Sequence, residues 1–564
     1  MRCGHGSGCR AMEDEQLKHF IGDRDRIVQQ AISGILASSH GRLTRLDGYP
    51  EIKVLLRAGW DGSKVSVISG GGSGHEPAHA GFVGEGMLTA AVCGDIFASP
   101  SVDAVLSAII ATTGPSGCLL IVKNYTGDRL NFGLAATQAR ALGYKVEVVV
   151  VGDDVATSAT KQPRGVAGTL FVHKIAGYLA SQGETLTTVA NVAGDVAASI
   201  MTIGMAIETC SVPGRGKEQR LAADEAELGL GIHGEPGVQR LKFASVEALV
   251  DTAAVQLSNK LSTSSARHAL LVNNLGGATP LEMSIVMDAL TKTPLFQKID
   301  YVVGPAPLMT ALDMKGFSLS LLPLDDQVLP ALLAPCEGAW PAPSRAGSPV
   351  LTPMPKLPAA NWTHSSNPAA EALVRQACAV FIENEDYLNA LDAKVGDGDT
   401  GSTFATAARG VLGRFDGLPF GDVAALLAAI SQILSRTMGG SSGILLAILL
   451  SAASKSSSDG HGPVRALRDG LLEMQRFGGA QKGDRTMIDA LSPALDIFVA
   501  GGNLEDAAKA ARKGADSTRE MSYATAGRSS YLAEGDLLGN VDPGAEAAAR
   551  LFERLVERST PERG

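Results

Sequence analysis

The sequence predicts two domains of different fold class, an α/β domain followed by an all-helical domain. Short apolar strands alternate with helical segments through the first half of the chain, which is typical of βαβ units. A proline-rich stretch then interrupts this pattern, and no segment beyond Pro368 resembles a strand. With 564 residues, the chain is also too long for a single hydrophobic core.

Composition and charge exclude several classes of function. Hydrophobic residues make up 45% and charged residues 19% of the chain, as in ordinary soluble globular proteins. A net charge of −10 without any Lys/Arg-rich run argues against a nucleic-acid partner. No apolar run reaches the length of a membrane span, and the first twenty residues lack the apolar region of a signal peptide. Seven scattered cysteines fit a reducing compartment, so the sequence predicts a cytoplasmic protein.

The first candidate site follows a short buried strand. A helical pattern at 22–39 precedes a strand predicted at 64–68, which runs straight into the glycine-rich loop 69–77. Ligands in α/β folds bind where strands end in such loops. His75 lies inside this loop and is therefore a candidate site residue. The alternatives are that the loop is a plain turn and that the histidine is structural.

Two further strands also end in polar residues. The strand predicted at 118–122 leads into Lys123–Asp128, and the strand at 145–151 leads into a Gly-Asp-Asp turn. The helical segment 131–141 between them predicts parallel βαβ units. More strands are predicted at 269–272, 301–303 and 318–322.

A second glycine-rich loop, 229–237, repeats the order His, Glu, Pro that is found at His75. Glycines surround His233 in this loop, so no bulky neighbour in sequence covers its ring. We therefore expect the ring to be exposed and free to react. An exposed loop histidine without a function is the alternative.

A proline-rich segment at 335–366 predicts an extended linker. It separates a predicted N-terminal domain, 21–334, from a predicted C-terminal domain, 367–564. Residues 1–20 form an extension to which the sequence assigns no role.

The strongest chemical signal lies at the start of the C-terminal domain. Asn367 as N-cap and Pro368 begin a helix that delivers Asp392 at its end. Asp392, Asp397 and Asp399 are interleaved with glycines, which let the backbone turn tightly. Converging carboxylates repel one another unless a cation lies between them, and oxygen ligands without Cys or His favour magnesium or calcium over zinc. The alternative is an acidic, solvated turn.

Glycine and serine recur at other helix starts in this domain. A Gly-Ser-Thr sequence at 401–403 follows the acidic loop, and 438–443 opens a helix predicted at 444–453. Free N–H groups and the positive end of a helix dipole favour phosphate at such places. Further predicted helices and polar loops lie at 405–412, 423–435, 482–489, 527–532 and 539–544. A magnesium–nucleotide site at the rim of a helical barrel or bundle accounts for this arrangement.

These motifs, in this order, resemble those of the single-chain, ATP-dependent dihydroxyacetone kinases. The motifs are Gly70-Gly-Gly-Ser-Gly-His-Glu-Pro, Lys123-Asn-Tyr-Thr-Gly-Asp, Gly229-Leu-Gly-Ile-His-Gly-Glu-Pro-Gly, Asp392-Ala-Lys-Val-Gly-Asp-Gly-Asp-Thr-Gly, Gly439-Gly-Ser-Ser-Gly, Gly483-Asp-Arg-Thr-Met and Asp542-Pro-Gly. The resemblance spans about 28–551 and implies an N-terminal substrate domain of two α/β subdomains. It also implies a C-terminal barrel of antiparallel helices that binds ATP. A homodimer is implied too, in which the nucleotide domain of one chain can serve the substrate domain of the other.

The resemblance assigns roles to residues of the first domain. His233 matches the residue that binds the ketone covalently as a hemiaminal. Asp128 matches a general base near the reacting hydroxyl, and His75 matches a residue that orients or stabilises it. The remaining substrate-binding positions are Gly72, Ser73, Gly74 and Lys123.

In the second domain, Asp392, Asp397 and Asp399 match the ligands of two magnesium ions that bridge the ATP phosphates. The matching nucleotide-binding positions are Thr400, Gly401, Ser402, Thr403, Ser441, Ser442, Thr486, Met487, Arg528, Asp542, Pro543 and Gly544.

Three functions remain open on the sequence. The first is phosphorylation of dihydroxyacetone by ATP, with glyceraldehyde as a second substrate and a four-carbon ketose such as erythrulose as an alternative. The second is an additional lyase activity that splits FAD into AMP and cyclic FMN. The third is a binding module of a phosphotransferase relay that holds ADP as a fixed cofactor.

Overall fold

Two units built from different elements make up the chain, Met1–Leu351 and Thr352–Gly564. The computed structural model describes residues 20–157, 162–213, 220–261, 267–356, 362–526, 530 and 537–559. Three of the sequence predictions therefore lie outside the described residues: the extension, apart from its last residue, the element at 527–532, apart from residue 530, and Arg528 within it.

The first sheet of unit 1 has six strands. They are β1 Leu43–Arg45, β2 Val54–Arg57, β3 Ser66–Ser73, β4 Ala90–Ile96, β5 Cys118–Lys123 and β6 Val146–Val151. Their order is β1-β2-β4-β3-β5-β6, and the last four are mutually parallel. Strands β3 and β5 are buried along their whole length, which explains their unbroken apolar character.

The second sheet of unit 1 has seven strands. They are β7 Met201–Ala206, β8 Glu225–Leu228, β9 Gln239–Lys242, β10 His268–Asn274, β11 Ile299–Ala306, β12 Gly316–Pro323 and β13 Ser344–Arg345. Their order is β13-β11-β10-β12-β7-β8-β9. Only β10 and β11 are parallel, so the prediction of parallel units was wrong for most of this sheet. Apolar runs do not reveal strand direction, because a strand buried on both faces has the same pattern in either pairing.

Helices form three layers around these two sheets. They are α1 Ile27–Ser38, α2 Val102–Thr112, α3 Thr126–Ala141, α4 Thr169–Ser181, α5 Leu186–Ser199, α6 Val246–Ser258, α7 Pro280–Thr291 and α8 Val328–Leu333. Helices α4 and α5 pack between the sheets, because Phe171 of α4 shares one core with Leu119 of β5 and Leu271 of β10. Helices α2 and α3 cover the other face of the first sheet, and α6 and α7 cover the second sheet. The predicted α/β class with two subdomains is confirmed.

Two boundaries near the first candidate site differ from the prediction. Strand β3 continues through the glycines as far as Ser73, so most of the predicted glycine-rich loop is strand. Helix α3 begins at Thr126 rather than at 131, which places Asp128 in its first turn. Both differences arise because glycine and polar residues carry no apolar periodicity even where they adopt regular backbone.

The first part of the predicted linker packs on unit 1. Trp340 is buried against Phe171, with ring centroids 5.8 Å apart, and β13 pairs with β11. The prediction of a free linker was wrong for these residues. The division between the units falls later, after Leu351.

The described part of unit 2 consists of helices and loops. The helices are α9 Pro368–Glu383, α10 Glu385–Asp392, α11 Thr400–Leu412, α12 Val423–Thr437, α13 Gly440–Ser458, α14 Pro463–Gly478, α15 Ile488–Val499, α16 Leu504–Ser517 and α17 Pro543–Ser559. From α11 onward each helix contacts the next, α11 also contacts α9, and α17 contacts α9, so the ring closes. This arrangement confirms the predicted all-helical domain.

The helix predicted to run unbroken from Pro368 to Asp392 is two helices. As predicted, the Asn367 side chain caps α9, accepting hydrogen bonds from the N–H groups of Ala369 and Ala370. The helix then ends at Asn384, whose side-chain amide donates to the Val380 carbonyl at 2.8 Å. The apolar pattern continues across this junction and hides it. Helices α11 and α13 also begin about four residues earlier than predicted, because their first turns are made of small residues.

Among the described residues, no helix has the length and apolar character needed to cross a lipid bilayer.

Two adjacent leucines of α14 test the position of the helical core. Leu471 is fully buried, whereas Leu472 is 51% exposed. We expect Leu471→Ala to lower the free energy of unfolding of unit 2 by about 2–5 kcal/mol, because it removes packed methyl groups and leaves a cavity. Leu472→Ala is the matched control and should change it by less than about 0.5 kcal/mol.

The measurement is guanidinium denaturation followed by the fluorescence of Trp362, in a background where Trp60 and Trp340 are replaced by Phe. Equal effects of the two alanine substitutions would show that α14 is oriented differently.

Candidate active site

His75 lies just beyond the end of β3 and is fully buried. Its Nδ1 is 2.7 Å from the carbonyl oxygen of Thr310, which only accepts, so Nδ1 carries the hydrogen. Among the described residues, Nε2 has no hydrogen-bond partner. Burial lowers the pKa of His75 well below its usual value, and the nearby charge of Lys123 adds to this effect. The ring is therefore neutral, with an Nε2 lone pair that can accept a hydrogen bond.

Lys123 and Asp128 come together beside the end of β3. Lys123 is the last residue of β5, and Asp128 lies in the first turn of α3; both are buried. A Cβ atom at Gly71 would collide with Lys123 Nζ and would lie 3.7 Å from Asp128 Oδ2. The Ser99 hydroxyl donates a hydrogen bond to Asp128 Oδ1. The end of β5 and the first turn of the helix that follows it thus place an ammonium and a carboxylate beside the end of the neighbouring strand β3.

Gly72, Ser73 and Gly74 bring the backbone against the segment that follows β4. A Cβ atom at Gly72 would lie 2.7 Å from the backbone nitrogen of Ala98, and one at Gly74 would lie 2.9 Å from the ring of Phe97. The Ser73 hydroxyl donates to the Gly94 carbonyl at 2.8 Å. The glycines are therefore needed for close packing as well as for any contact with a ligand.

The His233 ring is enclosed by aromatic residues from other parts of the unit. Its centroid lies 4.6 Å from that of Tyr125, 4.8 Å from that of His75 and 5.3 Å from that of Phe97. Only 20% of its side chain is exposed. The expectation of an uncovered ring was wrong, because the covering residues are distant in sequence and only the fold brings them together.

Glu235 fixes the orientation of His233, a role that the sequence reading missed. One carboxylate oxygen accepts the His233 backbone N–H at 2.9 Å, and the other lies 3.1 Å from Nδ1. The nucleophilic lone pair is therefore on Nε2. Burial alone would raise the pKa of Glu235, but the hydrogen bonds and charge of His233 lower it to about 2. A Cβ atom at Gly231 would collide with Glu235, so the loop needs glycine there.

Unit 2 brings the three predicted aspartates together. One carboxylate oxygen from each of Asp392, Asp397 and Asp399 lies within 4.8 Å of the others. Asp392, at the end of α10, is buried and accepts hydrogen bonds from the N–H groups of Asp399, at 3.0 Å, and Thr400, at 3.2 Å. A Cβ atom at Gly396 would collide with Asp392 Oδ1, so the loop folds tightly over that carboxylate. Three hard oxygen ligands at this spacing fit a divalent cation such as magnesium.

Thr400, Gly401, Ser402 and Thr403 form the first turn of α11. The sequence predicts free N–H groups here, but the Thr400 N–H donates to Asp392. The Ser402 N–H donates to the Asn389 side chain at 3.0 Å, and the amide of Asn389 donates back to the Ser402 hydroxyl at 2.9 Å. The prediction of free N–H groups at 401–403 was therefore wrong for Ser402, and also for Thr403, whose N–H donates to the Asp399 carbonyl at 2.9 Å. The bonds of Thr400 and Ser402 brace the acidic loop against α10.

Ser441 and Ser442 lie in the first turn of α13, which begins at Gly440. The preceding Gly439 is the N-cap residue and provides no side-chain cap. Backbone N–H groups at such a helix start favour an anion.

Two more buried carboxylates lie near the acidic loop. Asp489, which the sequence reading missed, accepts the N–H groups of Gly483 at 2.6 Å and Thr486 at 2.8 Å. Asp542 accepts the Ala545 N–H at the start of α17. Burial and, to a smaller extent, the charges of Asp489 and Asp392 raise the pKa of Asp542 to about 6, although its hydrogen bond from Ala545 and the charge of Arg485 oppose this rise. The structure thus places Asp542 close to Asp392.

Met487, Pro543 and Gly544 complete this region. Pro543 and Gly544 are the first residues of α17, and a Cβ atom at Gly544 would lie 3.3 Å from that of Met487. The predicted nucleotide positions on α11, α15 and α17 are thereby grouped around the start of their helices.

Comparisons with known proteins agree with this architecture. A model of the Dak1 domain matches residues 33–339, and a model of the DAK2 domain matches residues 394–557. The chain is 48% identical over 553 residues to dihydroxyacetone kinase from Citrobacter freundii, covering 95% of this chain and 99% of that protein. It is 40% identical over 579 residues to triokinase/FMN cyclase from Mus musculus, covering 96% and 98%.

A solved structure is similar along the whole chain. The crystal structure of the C. freundii dihydroxyacetone kinase in complex with AMP-PNP and Mg2+ has a TM-score of 0.80 and 45% sequence identity. The match covers 96% of this chain and 99% of that chain. An α/β unit followed by this helical ring defines a two-unit phosphotransferase. The chain belongs to the dihydroxyacetone kinase family. The family and the kinase activity predicted from the sequence are confirmed.

Single substitutions in the acidic loop test its role. We expect Asp397→Asn or Asp399→Asn to lower turnover on the order of a thousandfold or more, because each removes a charged oxygen ligand from a cation that stabilises the transition state. Both side chains are exposed, so the melting temperature should stay unchanged. Asp416→Asn, at an exposed position elsewhere in unit 2, is the matched control. Near wild-type turnover of either loop variant at saturating magnesium would refute the assignment.

Proposed function

We propose that this protein transfers the γ-phosphoryl group of ATP to dihydroxyacetone, forming dihydroxyacetone phosphate and ADP. The observation that carries the proposal is the enclosure of His233 beside His75, in the same unit as Lys123 and Asp128, which both lie near Gly71. The His233 ring can act as a nucleophile, the Asp128 carboxylate can act as a base, and Lys123 supplies an ammonium group. Together they suit a small molecule that has both a ketone and a hydroxyl group. The similarity to the C. freundii enzyme supports the same substrate.

His233 captures the ketone. Its Nε2 lone pair forms a bond to the carbonyl carbon, the carbonyl π electrons move to oxygen, and that oxygen takes a proton from solvent, which leaves the ring positively charged. Glu235 accepts the Nδ1 hydrogen bond and offsets the positive charge that develops on the ring. The resulting hemiaminal holds a flexible triose in one pose and rejects polyols, which have no carbonyl group.

Asp128 is the general base for the phosphoryl transfer. It accepts the proton of the substrate hydroxyl as that oxygen bonds to the γ-phosphorus and the bond to the leaving ADP breaks. Lys123 and the Ser99 hydroxyl keep the Asp128 carboxylate oriented. His75 is neutral and orients the substrate through its Nε2 atom.

Unit 2 holds the nucleotide. Asp392, Asp397 and Asp399 bind two magnesium ions, which neutralise charge on the phosphate oxygens when they are bound. The spacing of the three carboxylates and the Mg2+ in the C. freundii complex support this assignment. The starts of α13, at Gly440, and of α17, at Pro543, then face the phosphates. The remaining nucleotide contacts follow the positions predicted from the sequence.

We further propose a cytoplasmic homodimer. The resemblance supports the dimer. The cysteines Cys93, Cys118, Cys210, Cys336 and Cys378 are all free, as expected in a reducing compartment.

A coupled ADP-release assay with four candidate acceptors tests the function. We expect turnover with dihydroxyacetone and glyceraldehyde, and almost none with glycerol, because glycerol offers no carbonyl to His233. A higher kcat/KM with erythrulose would assign the enzyme to a four-carbon ketose instead. The absence of ADP release with all of the ketoses would refute the kinase proposal, and ADP that survives gel filtration would favour the relay role.

A second activity, cleavage of FAD to AMP and cyclic FMN, is favoured by the 40% identity to mouse triokinase/FMN cyclase. It would use the same three aspartates. Incubation of the protein with FAD and manganese in the absence of triose tests it. Asp397→Asn is the control, since it should remove this activity together with the kinase activity.

The covalent role of His233 has a direct spectroscopic test. In carbon-13 NMR of the protein with labelled dihydroxyacetone, the carbonyl carbon should become tetrahedral in the wild type and stay trigonal in His233→Ala. Magnesium–ATP affinity should not change, because the nucleotide is held by unit 2. A tetrahedral carbon that persists in His233→Ala but disappears in His75→Ala would move the assignment to His75.

A further inference from the structure

Behind the candidate active site lies a chain of four buried polar side chains. Lys123, His79, His173 and Ser69 are each less than 5% exposed. Only Lys123 belongs to the predicted site. His79 lies between β3 and β4, and His173 lies on α4, which packs between the two sheets. Burying so many polar groups costs free energy unless they are paired with one another.

Two separate hydrogen bonds fix the hydrogen positions, one between Ser69 and His173 and one between Lys123 and His79. The two histidine rings contact each other without a hydrogen bond, and among the described residues neither Nδ1 atom has a hydrogen-bond partner. The Ser69 hydroxyl donates its single hydrogen to the Ile121 carbonyl at 2.8 Å. His173 Nε2, 3.1 Å from that hydroxyl, must therefore be the donor of their hydrogen bond. Burial lowers the pKa of His173 to about 3, with a contribution from the Lys123 charge, so the ring is neutral.

His79 lies between His173 and Lys123. Its Nε2 lies 2.8 Å from Lys123 Nζ, and because an ammonium only donates, His79 accepts and carries its own hydrogen on Nδ1. Its ring packs edge-on against His173, with centroids 5.1 Å apart. Burial and the charge of Lys123 keep the pKa of His79 well below its usual value, so Nε2 remains an acceptor.

The Lys123 ammonium faces charged or titratable groups from three directions. Asp128 approaches it from α3, His173 from α4, and His75 and His79 from the segment after β3. Burial lowers the pKa of Lys123, and the charge of Asp128 raises it. A buried ammonium stays protonated at neutral pH only if its hydrogen-bond acceptors are kept.

We propose that His79 is a positioning residue, whose Nε2 holds the Lys123 ammonium in place and in its charged form beside Asp128. Ser69 and His173 fix the His79 ring in turn. The inference rests on the proposed function insofar as Asp128 is the base that accepts the substrate proton. The charge held in this way also keeps His75 neutral, so that its Nε2 stays free for the substrate.

Two isosteric substitutions separate this role from packing. In His79→Gln the amide oxygen reaches the position of Nε2, whereas in His79→Asn the polar atoms reach only as far as Nδ1. We measure kcat/KM for dihydroxyacetone against pH. Loss of an acceptor destabilises the charged lysine, so in His79→Asn the alkaline limb should move to lower pH by about one unit or more. At any pH on the alkaline limb its kcat/KM should fall about tenfold for each unit of this shift, since one pKa unit is a factor of ten.

His79→Gln should keep the wild-type alkaline limb. His268→Asn removes a different buried histidine, at the start of β10, and should not move the limb either. If the Gln and Asn variants lose kcat/KM equally and the alkaline limb does not shift, His79 serves only in packing. Wild-type profiles for both variants would overturn the proposal outright.

A second measurement does not depend on activity. The Lys123 Nζ resonance, in nitrogen-15 lysine-labelled protein and assigned with Lys123→Met, should titrate at lower pH in His79→Asn than in the wild type. In Lys123→Met the rings of His79 and His173 should titrate at higher pH, because a nearby positive charge is gone. Unchanged titrations would refute the positioning role even in an active kinase. If these shifts occur but the wild type does not phosphorylate dihydroxyacetone, the positioning role stands and the proposed function fails.

Discussion

The buried ammonium of Lys123 is the constraint on which the first unit's site depends. Removing an ammonium from water costs several kcal/mol unless partners in the protein compensate for it. Asp128 supplies the opposite charge and His79 the hydrogen-bond acceptor. These partners in turn require a strand without a side chain at Gly71, and a helix that begins at Thr126 so that its first turn reaches the ammonium. One charge therefore determines a strand end, a helix start and the connection after β3.

In unit 2 the constraint is the mutual repulsion of the Asp392, Asp397 and Asp399 carboxylates. Ion pairs outside the acidic loop hold the neighbouring helices together and oppose this repulsion. Buried Glu546 accepts hydrogen bonds from Arg512 at 2.5 Å and from Arg550 at 2.7 Å. Arg550 also donates to Asn384, at 2.5 Å, where α9 gives way to α10. Helices α16 and α17 are thereby connected to each other, and the start of α10 is connected to α17, before any cation binds.

The two histidines of the first site show how one sequence pattern can give two local structures. Both rings leave Nε2 with a lone pair, but His233 is oriented by Glu235 in its own loop, whereas His75 is oriented by the distant Thr310 carbonyl. The corresponding Glu76 accepts the Gly74 N–H instead. The repeated motif indicated two related histidines. Their tautomers depend on contacts that the motif does not contain.

The sequence by itself determined the α/β and helical classes, the positions of six of the thirteen described strands, and the grouping of Asp392, Asp397 and Asp399. Each of these follows from local patterns, namely apolar runs and glycines spaced between carboxylates. Only the tertiary structure decided the antiparallel pairing of the second sheet and the enclosure of His233. It alone brought His79 to Lys123, because these two residues are 44 positions apart and neither has a local pattern that indicates the other. Hydrogen-bond partners and burial depend on residues that meet only after the chain has folded, so local sequence patterns cannot specify them.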